Sequence, residues 1–404
     1  MLPTPEPGPD AAQAWVDEHL AHLTDTPARA SSLRGGQGEA DRRLAALDIA
    51  GYAAKRNEVL PRTARGATQL SPWIRHGLLS LQTVWDAVED APSRDRQKYR
   101  DELLWQEYAR HWYARLGRRT SRGIRSELAG AGSDRDAWPQ GMRCVGAVLD
   151  ELHNDGWLVN QTRMWLASHW AIRQGDRWSD GEDYFFRHLL DGSRAANRLG
   201  WQWTTGVGSS KPYGFSRWQV TKRAPELCDG CVHRDACPIE DWPEERQAVS
   251  VEQPVSMRRA VDLDQERGPQ EPIRPQRPDV VWLTAESLGD ADPALVANPD
   301  LPVVFVFDET LLASLRLAST RLVFLTECLA DLATRRDVRV VLGNPVEVLA
   351  SQRVTTTFAP VPGWKQRAAL IEPAEVHPWP WLCTPSGGSV QSFSAWRKAT
   401  RRSD

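Results

Sequence analysis

The stretch Gly156–Trp203, GWLVNQTRMWLASHWAIRQGDRWSDGEDYFFRHLLDGSRAANRLGWQW, holds six of the chain's 19 tryptophans. Asn160, Arg163 and Met164 stand at i, i+3 and i+4, so on a helix they share one face. Further on, Asp191, Asn197, Trp201 and Trp203 form a compact second block. Polar groups interleaved with rigid rings suit a pocket for a large planar ligand. The same spacing also fits an aromatic helical core.

Length and composition bound the rest. With 404 residues the chain has room for two or three domains around a substantial core. Its 41% hydrophobic and 25% charged content is ordinary for a soluble globular protein. A net charge of −3 gives no global nucleic-acid signal, so any DNA surface must be a local patch. No apolar run approaches the roughly 18 residues of a membrane span. The N-terminus, MLPTPEPGPDAAQAW, lacks a secretory pattern. A cytoplasmic location is the expectation, with the six cysteines as thiols or metal ligands rather than disulfides.

In chain order, Asp10 to Leu23 reads as one amphipathic helix. Ala40 to Val59 reads as another, with Leu44, Leu47, Ile49 and Tyr52 on one stripe. Thr68, Gln69, Leu70 and Ser71 then open a helix. Hydroxyls and free amides there suit a phosphate, or serve as an ordinary N-cap. Asp101 to Gly117 is a clear helix on which Glu102, Trp105 and Gln106 share a face. Arg115, Arg118, Arg119, Arg122 and Arg125 follow; such a cluster neutralises DNA phosphates or is a solvated loop. Trp138 to Leu152 is a further helix, carrying Cys144. Cys228, Cys231 and Cys237 form C-x2-C-x5-C-P, a pattern that wraps thiolates around one metal centre, with Cys144 or His233 as the fourth ligand. Zinc is the metal alternative to iron. Glu244 to Pro278 is charged and Pro-rich and reads as a linker. Beyond it, Val280–Leu283 and Val303–Phe307 are short apolar runs, as in buried parallel strands, Val338–Leu342 reads as a third strand and Thr355–Phe358 is a candidate fourth. They alternate with a helix over Thr320–Arg335 and one capped by Asn344-Pro345, which implies a parallel α/β sheet.

These motifs resemble the DNA photolyase/cryptochrome family. The resemblance rests on Trp157, Asn160, Arg163, Met164, Trp178, Asp191-Gly192, Asn197 and Trp201-Gln202-Trp203. It extends to Gly35-Gly36, to the Thr68–Ser71 loop and to the Glu102 helix. VVW, VFVFD and R-x-x-F-L-x-E-x-L-x-D-L match the family's α/β domain, which normally comes first. The resemblance therefore implies permuted order: an all-helical FAD-binding domain over 1–243, a flexible linker over 244–278, and a smaller Rossmann-like α/β domain over 279–404. Cys144, Cys228, Cys231 and Cys237 follow the order of the iron–sulfur bacterial branch, which implies a [4Fe-4S] cluster.

By the same resemblance, Thr68, Gln69, Leu70 and Ser71 hold the flavin diphosphate, and Tyr52, Tyr99, Trp105 and Gln106 line the cofactor pocket. Arg163 and Asp191 pair beside the isoalloxazine, Ser193 stands at the flavin contact where the family has the second Asp of D-G-D, and Asn197 faces its N5. Glu102, Trp105, Asn160, Met164 and Trp203 line the lesion pocket, and Trp178 and Trp201 carry electrons. The implied activity is blue-light repair of pyrimidine dimers in damaged DNA, the Arg-rich loop at 115–125 helping to bind it. Asn160 with Met164, and no His at Val159, looks like the cyclobutane-dimer class more than the six-four class. The rival is a cryptochrome-like light sensor. A third reading is a non-flavin iron–sulfur nucleic-acid protein, since the primase large subunit has a distantly similar helical domain.

Overall fold

A computed structural model describes residues 1–130, 138–244 and 246–400. Its N-terminal two thirds are helical, and its C-terminal third carries a five-stranded parallel sheet. The long helix Ser93–Leu116 is the axis of the helical part. Leu103, Leu104, Tyr108, Trp112 and Leu116 bury one side of it, and Gly117 (φ +52°) ends it. Arg194–Thr205 packs directly on it, Asn160–Ser168 and Trp178–His188 pack on Arg194–Thr205 in turn, and Arg143–Asp155 packs on Asn160–Ser168.

Several helices differ from the sequence expectation, the one read over Asp10–Leu23 ending at His19 and giving way to a 3-10 turn at Ala21–Leu23. Ala40–Val59 is not one helix but two, Gln37–Ala45 and Tyr52–Lys55. Asp48 takes the Ala50 N–H at 2.8 Å, and Asp95 takes Gly51 and Ala53 N–H at 2.9 and 2.8 Å. Those carboxylates offer the backbone a local alternative to the helical ladder. The helix expected from Trp138 begins only at Arg143, because Pro139 and left-handed Gly141 (φ +76°) precede it.

The first two strands, β1 (Ser126–Leu128) and β2 (Ala248–Ser250), form a small antiparallel pair that the sequence did not suggest. The main sheet comprises β3 (Val280–Leu283), β4 (Val303–Asp308), β5 (Val338–Gly343), β6 (Val354–Thr357) and β7 (Glu375–His377). Its order is β5-β4-β3-β6-β7, all parallel. β3 and β6 are fully buried, as befits a sheet covered on both faces. This is a doubly wound order whose switch point lies between β3 and β6. The loops leaving both strands, with Glu286, Pro360 and Val361, face the helical part.

Both chain ends cross over. Leu2 bridges Val340 on β5, Thr4 bonds the Val338 carbonyl at 3.1 Å, and Trp15 packs on Phe307. The N-terminal arm, counted with the helical unit in the sequence, thus lies on the sheet. In the opposite sense, Tyr108 Oη–H donates to Val390 O at 2.9 Å and His111 Nε2 meets Cys383 O at 2.7 Å. The stretch read as a linker makes specific contacts: β2 pairs with β1, Met257 is buried, and Ile273 bridges Val376 on β7. Glu245 within it lies outside the described residues.

Candidate functional site

A cavity of about 710 Å³ opens between the helices. The helix Ser93–Leu116 gives it Tyr99, Glu102, Trp105 and Gln106. Asn160–Ser168 gives Asn160, Arg163 and Met164, the i, i+3, i+4 face read from the sequence. Arg194–Thr205 gives Asn197, Trp201 and Trp203, and the turn before it gives Asp191 and Ser193. Tyr52 and the loop of Thr68, Gln69, Leu70 and Ser71 complete the wall. Of the proposed pocket residues only Trp178 is absent from the lining; it is buried at the start of its helix.

Arg163 and Asp191 make a two-pronged pair, Nη1–Oδ1 at 3.1 Å and Nη2–Oδ2 at 2.7 Å. Arg163 Nε also donates to Leu158 O at 2.9 Å, so the guanidinium plane is fixed. Asn197 is 7% exposed, and its Nδ2 has no hydrogen-bond partner among the described residues. A buried amide donor left free costs about 1–3 kcal/mol, so it is suited to a polar ligand atom in the cavity. Gln69 has φ +58°, in the left-handed region, and Leu70 follows in right-handed conformation. Adjacent residues of opposite hand turn successive N–H groups to one side, a shape that holds anions. Ser71 Oγ accepts from Trp157 Nε1 at 3.0 Å, which fixes the loop to the first Trp of the central stretch. A cavity of this size with a free buried amide, a fixed Arg–carboxylate fork and an anion-shaped loop fits a flavin nucleotide. Residues Asn197, Arg163, Asp191 and Gln69–Ser71 are the ones that would hold it.

The aromatic groups are arranged around this wall. Tyr99 Oη meets Thr68 Oγ1 at 3.2 Å, and burial pushes its phenol up to about 12. Tyr52 stands edge-on to Tyr99 at 4.9 Å and is raised still further by burial. Glu102, at the rim, pairs with Lys98 at 2.9 Å and Arg56 at 3.4 Å. Trp105 is stacked on Phe393. Trp203 is 46% exposed at the mouth, and Trp201 is buried. Gly181 lies under both Trp201 and Trp170, and Trp170 packs on Trp138 with centroids 5.1 Å apart.

Sequence reading missed several wall residues: Arg75, Arg110, Glu286, Pro360, Val361 and Trp379. The last four come from the C-terminal sheet unit, and nothing local marks them as facing a pocket. Arg110, partly buried, pairs with fully buried Glu107 at 3.5 Å; desolvation lowers the guanidinium and raises the carboxyl. The Arg-rich loop is also corrected in part. Arg115 is buried and bonds Glu266 at 2.7 Å, so it faces inward. Arg118 and Arg122 are exposed.

All four cysteines of the proposed cluster are free thiols. Burial pushes Cys144 up to about 12, and the next causes are the charges of Cys231, Cys237 and Cys228, so the four share one neighbourhood. Among the described residues no group of three or more His, Cys, Asp or Glu is set to hold a metal ion.

Residues 99–228 match the FAD binding domain of DNA photolyase. The chain is similar to deoxyribodipyrimidine photo-lyase of Synechococcus sp., 30% identical over 176 residues, covering 40% of this chain and 36% of that one. The Thermus thermophilus enzyme of the same name is 28% identical over 222 residues, 52% of this chain and 46% of that one. The chain thus spans between about a third and a half of the length of these relatives. Among solved structures, the Synechocystis cryptochrome is 20% identical with TM-score 0.42, covering 48% of this chain and 44% of that one. The class III photolyase of Agrobacterium tumefaciens is 22% identical with TM-score 0.39, covering 55% and 46%. No helix among the described residues is long and apolar enough to cross a membrane.

Proposed function

We propose that this protein is a blue-light-driven flavoprotein lyase that repairs UV-induced pyrimidine dimers in DNA, with its helical unit first and its α/β unit last. The observation that supports it best is the convergence of Arg163, Asp191, Asn197, Glu102 and Trp105 on one cavity, within a stretch similar to photo-lyases. Reduced FAD, when bound, supplies an electron on absorbing light and takes it back after the dimer opens. The chain's own residues do the holding. The Arg163–Asp191 fork orients the isoalloxazine ring, Asn197 donates an N–H toward it, and the Gln69–Ser71 amides take the diphosphate. Glu102, Trp105, Asn160, Met164 and Trp203 receive the flipped lesion, whose weakened pairing makes flipping cheap. Trp178 and Trp201 pass electrons inward when the flavin is oxidised.

Within this reading the cyclobutane dimer is favoured over the six-four photoproduct, because Asn160 and Met164 share the cavity face and Val159, where a His would serve the six-four class, is fully buried. The exposed Arg118 and Arg122 take DNA phosphates. Illuminating the full chain with oligonucleotides carrying each lesion, and counting restored bases, is the test. Repair of six-four lesions alone overturns the class. Repair of neither, with a light-dependent change of association state, favours the second reading, a cryptochrome-like sensor. That reading draws support from Gln106 and Ser193 in the cavity wall, which stand where the resembling family carries an Arg and an Asp.

A [4Fe-4S] cluster on Cys144, Cys228, Cys231 and Cys237, with zinc as alternative, belongs to the same proposal. Its support is the packing of the helix Glu226–Asp229, which carries Cys228, on the helix that carries Cys144, with Cys231 Sγ 3.8 Å from Gly141 O just before that helix. Iron and zinc analysis of anaerobically purified protein decides between them; protein without either metal rejects both.

A further inference from the structure

Arg321 stands in the helix Ser319–Ala333 of the C-terminal unit and is 4% exposed. Its guanidinium leaves that unit and enters the helical one. It donates to the Phe186 carbonyl, lies 4.8 Å over the Phe186 ring, and donates through Nη2 to Gly192 O at 3.1 Å. Arg75 Nε donates to the same Gly192 carbonyl at 3.0 Å. Two guanidinium groups therefore converge on the oxygen of the residue next to Asp191. The position tolerates nothing but glycine, since a Cβ on Gly192 would lie 2.7 Å from Leu189 O and 2.8 Å from Arg321 Nη1.

The charges around this point are unequal. Arg75 has Glu286 at 2.9 Å, and Arg163 has Asp191 at 2.7 Å. Arg321 makes no ion pair among the described residues, and its Nε has no partner there. Burial and the neighbouring Arg75 pull it down to about 9, which still leaves it protonated at neutral pH. A buried cation without a contact counter-ion is costly. Of the neighbouring charges Asp191 favours its charged form most, ahead of Glu286, while Arg75 and Arg194 oppose it. Asp191 is already spent on Arg163, so the local sum beside the cavity is positive.

We infer that Arg321 is a positioning residue for the cavity: it clamps the Asp191–Gly192–Ser193 turn from the opposite unit and adds a positive charge that is not neutralised there. The inference rests on the reading that the cavity holds FAD. Its consequence is that the α/β unit sets both the geometry of the Arg163–Asp191 fork and the preference for a flavin that gains negative charge on reduction.

The test compares full-length wild type with Arg321→Gln, which keeps a donor but no charge, and Arg321→Lys, which keeps the charge but not the fork. FAD affinity is read by flavin fluorescence and the flavin midpoint potential by titration against reference dyes. The expected result is about tenfold weaker FAD binding and a more negative potential for R321Q. For R321K it is weaker binding, by a few-fold, with the wild-type potential. Two results overturn the inference: R321Q matching wild type in both quantities, or R321K shifting the potential as far as R321Q does. If R321Q does not fold, a shifted potential in R321K alone overturns it, and an unshifted one supports it. Wild-type protein that binds no FAD rejects the flavin reading itself and this inference with it.

Discussion

Phe393 lies flat against Trp105, with ring planes 9° apart and centroids 4.0 Å apart, the closest ring pair described in the chain. The residue comes from the C-terminal helix Phe393–Ala399, held down by buried Trp396, whose Nε1 donates to His111 Nδ1 at 2.9 Å. One face of the proposed lesion-stacking indole is thus backed by a ring nearly three hundred positions later. Phe393→Ala removes that backing. It should destabilise the protein by about 1–2 kcal/mol, since such pairs contribute roughly 0.5–1.5 kcal/mol beyond their buried area. It should also weaken binding of dimer-containing DNA about tenfold with flavin content unchanged. Urea melts and fluorescence anisotropy check the two parts, and tighter DNA binding would instead mark Phe393 as a plug.

The Arg163–Asp191 fork gives a second prediction. Asp191→Asn keeps the shape and removes the charge, leaving Arg163 three-quarters buried without its carboxylate. Breaking fully buried pairs costs about 3–5 kcal/mol; partial exposure of Arg163 brings the expectation to about 1–3 kcal/mol. Purified D191N should carry little flavin, measured as the ratio of 450 nm to 280 nm absorbance.

Gly181 offers a packing test. A Cβ there would fall 2.2 Å from Trp201 Cη2 and 3.1 Å from Trp170 Cδ1. Gly181→Ala must displace the buried Trp201 ring, at a cost of about 1–3 kcal/mol from overpacking. A lowered melting temperature with slower photoreduction of bound flavin is expected; unchanged values in both would show that the two rings have room to move.

Acid should weaken the fold through its histidines. His76 and His111 are held down to about 3 and His169 to about 4, in each case first by burial. The unfolded chain binds their protons near the ordinary value of 6.5 while the folded one does not. Stability is therefore greatest above pH 6.5 and is lost as pH falls toward about 4. Each histidine contributes a slope of up to about 1.4 kcal/mol per pH unit. Urea midpoints measured from pH 7.5 to 4.5 should fall steadily. His111→Gln, which preserves an amide donor to Cys383 O, should flatten the curve.

Much of the cavity was legible because its residues sit in helices with regular spacing. Asn160, Arg163 and Met164 needed only the 3.6-residue period to reach one face. Strands β3 and β4 were equally readable from their continuous apolar runs, whereas β5 is interrupted by Arg339, β6 carries three threonines, and β7 is three residues with Glu375 and His377 buried. What could not be read is contact between distant segments. Glu286 and Trp379 reach the cavity only because the loops leaving β3 and β7 are turned toward it. Arg115 looked like part of a DNA-facing cluster because its partner Glu266 lies 151 positions away. The break in the Ala40–Val59 helix depended on Asp95, which no local pattern connects to Gly51.

The crossing of the chain's two ends has a mechanical consequence. The N-terminal arm is fastened to β5 through Leu2 and Thr4, and the C-terminal arm to the Ser93–Leu116 helix through Val390, Cys383 and Phe393. Each unit therefore wears a strap that belongs, by position in the chain, to the other. Cutting between them would not release two free bodies. Melting should follow one sharp calorimetric peak rather than two, and a nick in the 244–278 stretch should leave both pieces travelling together through a sizing column.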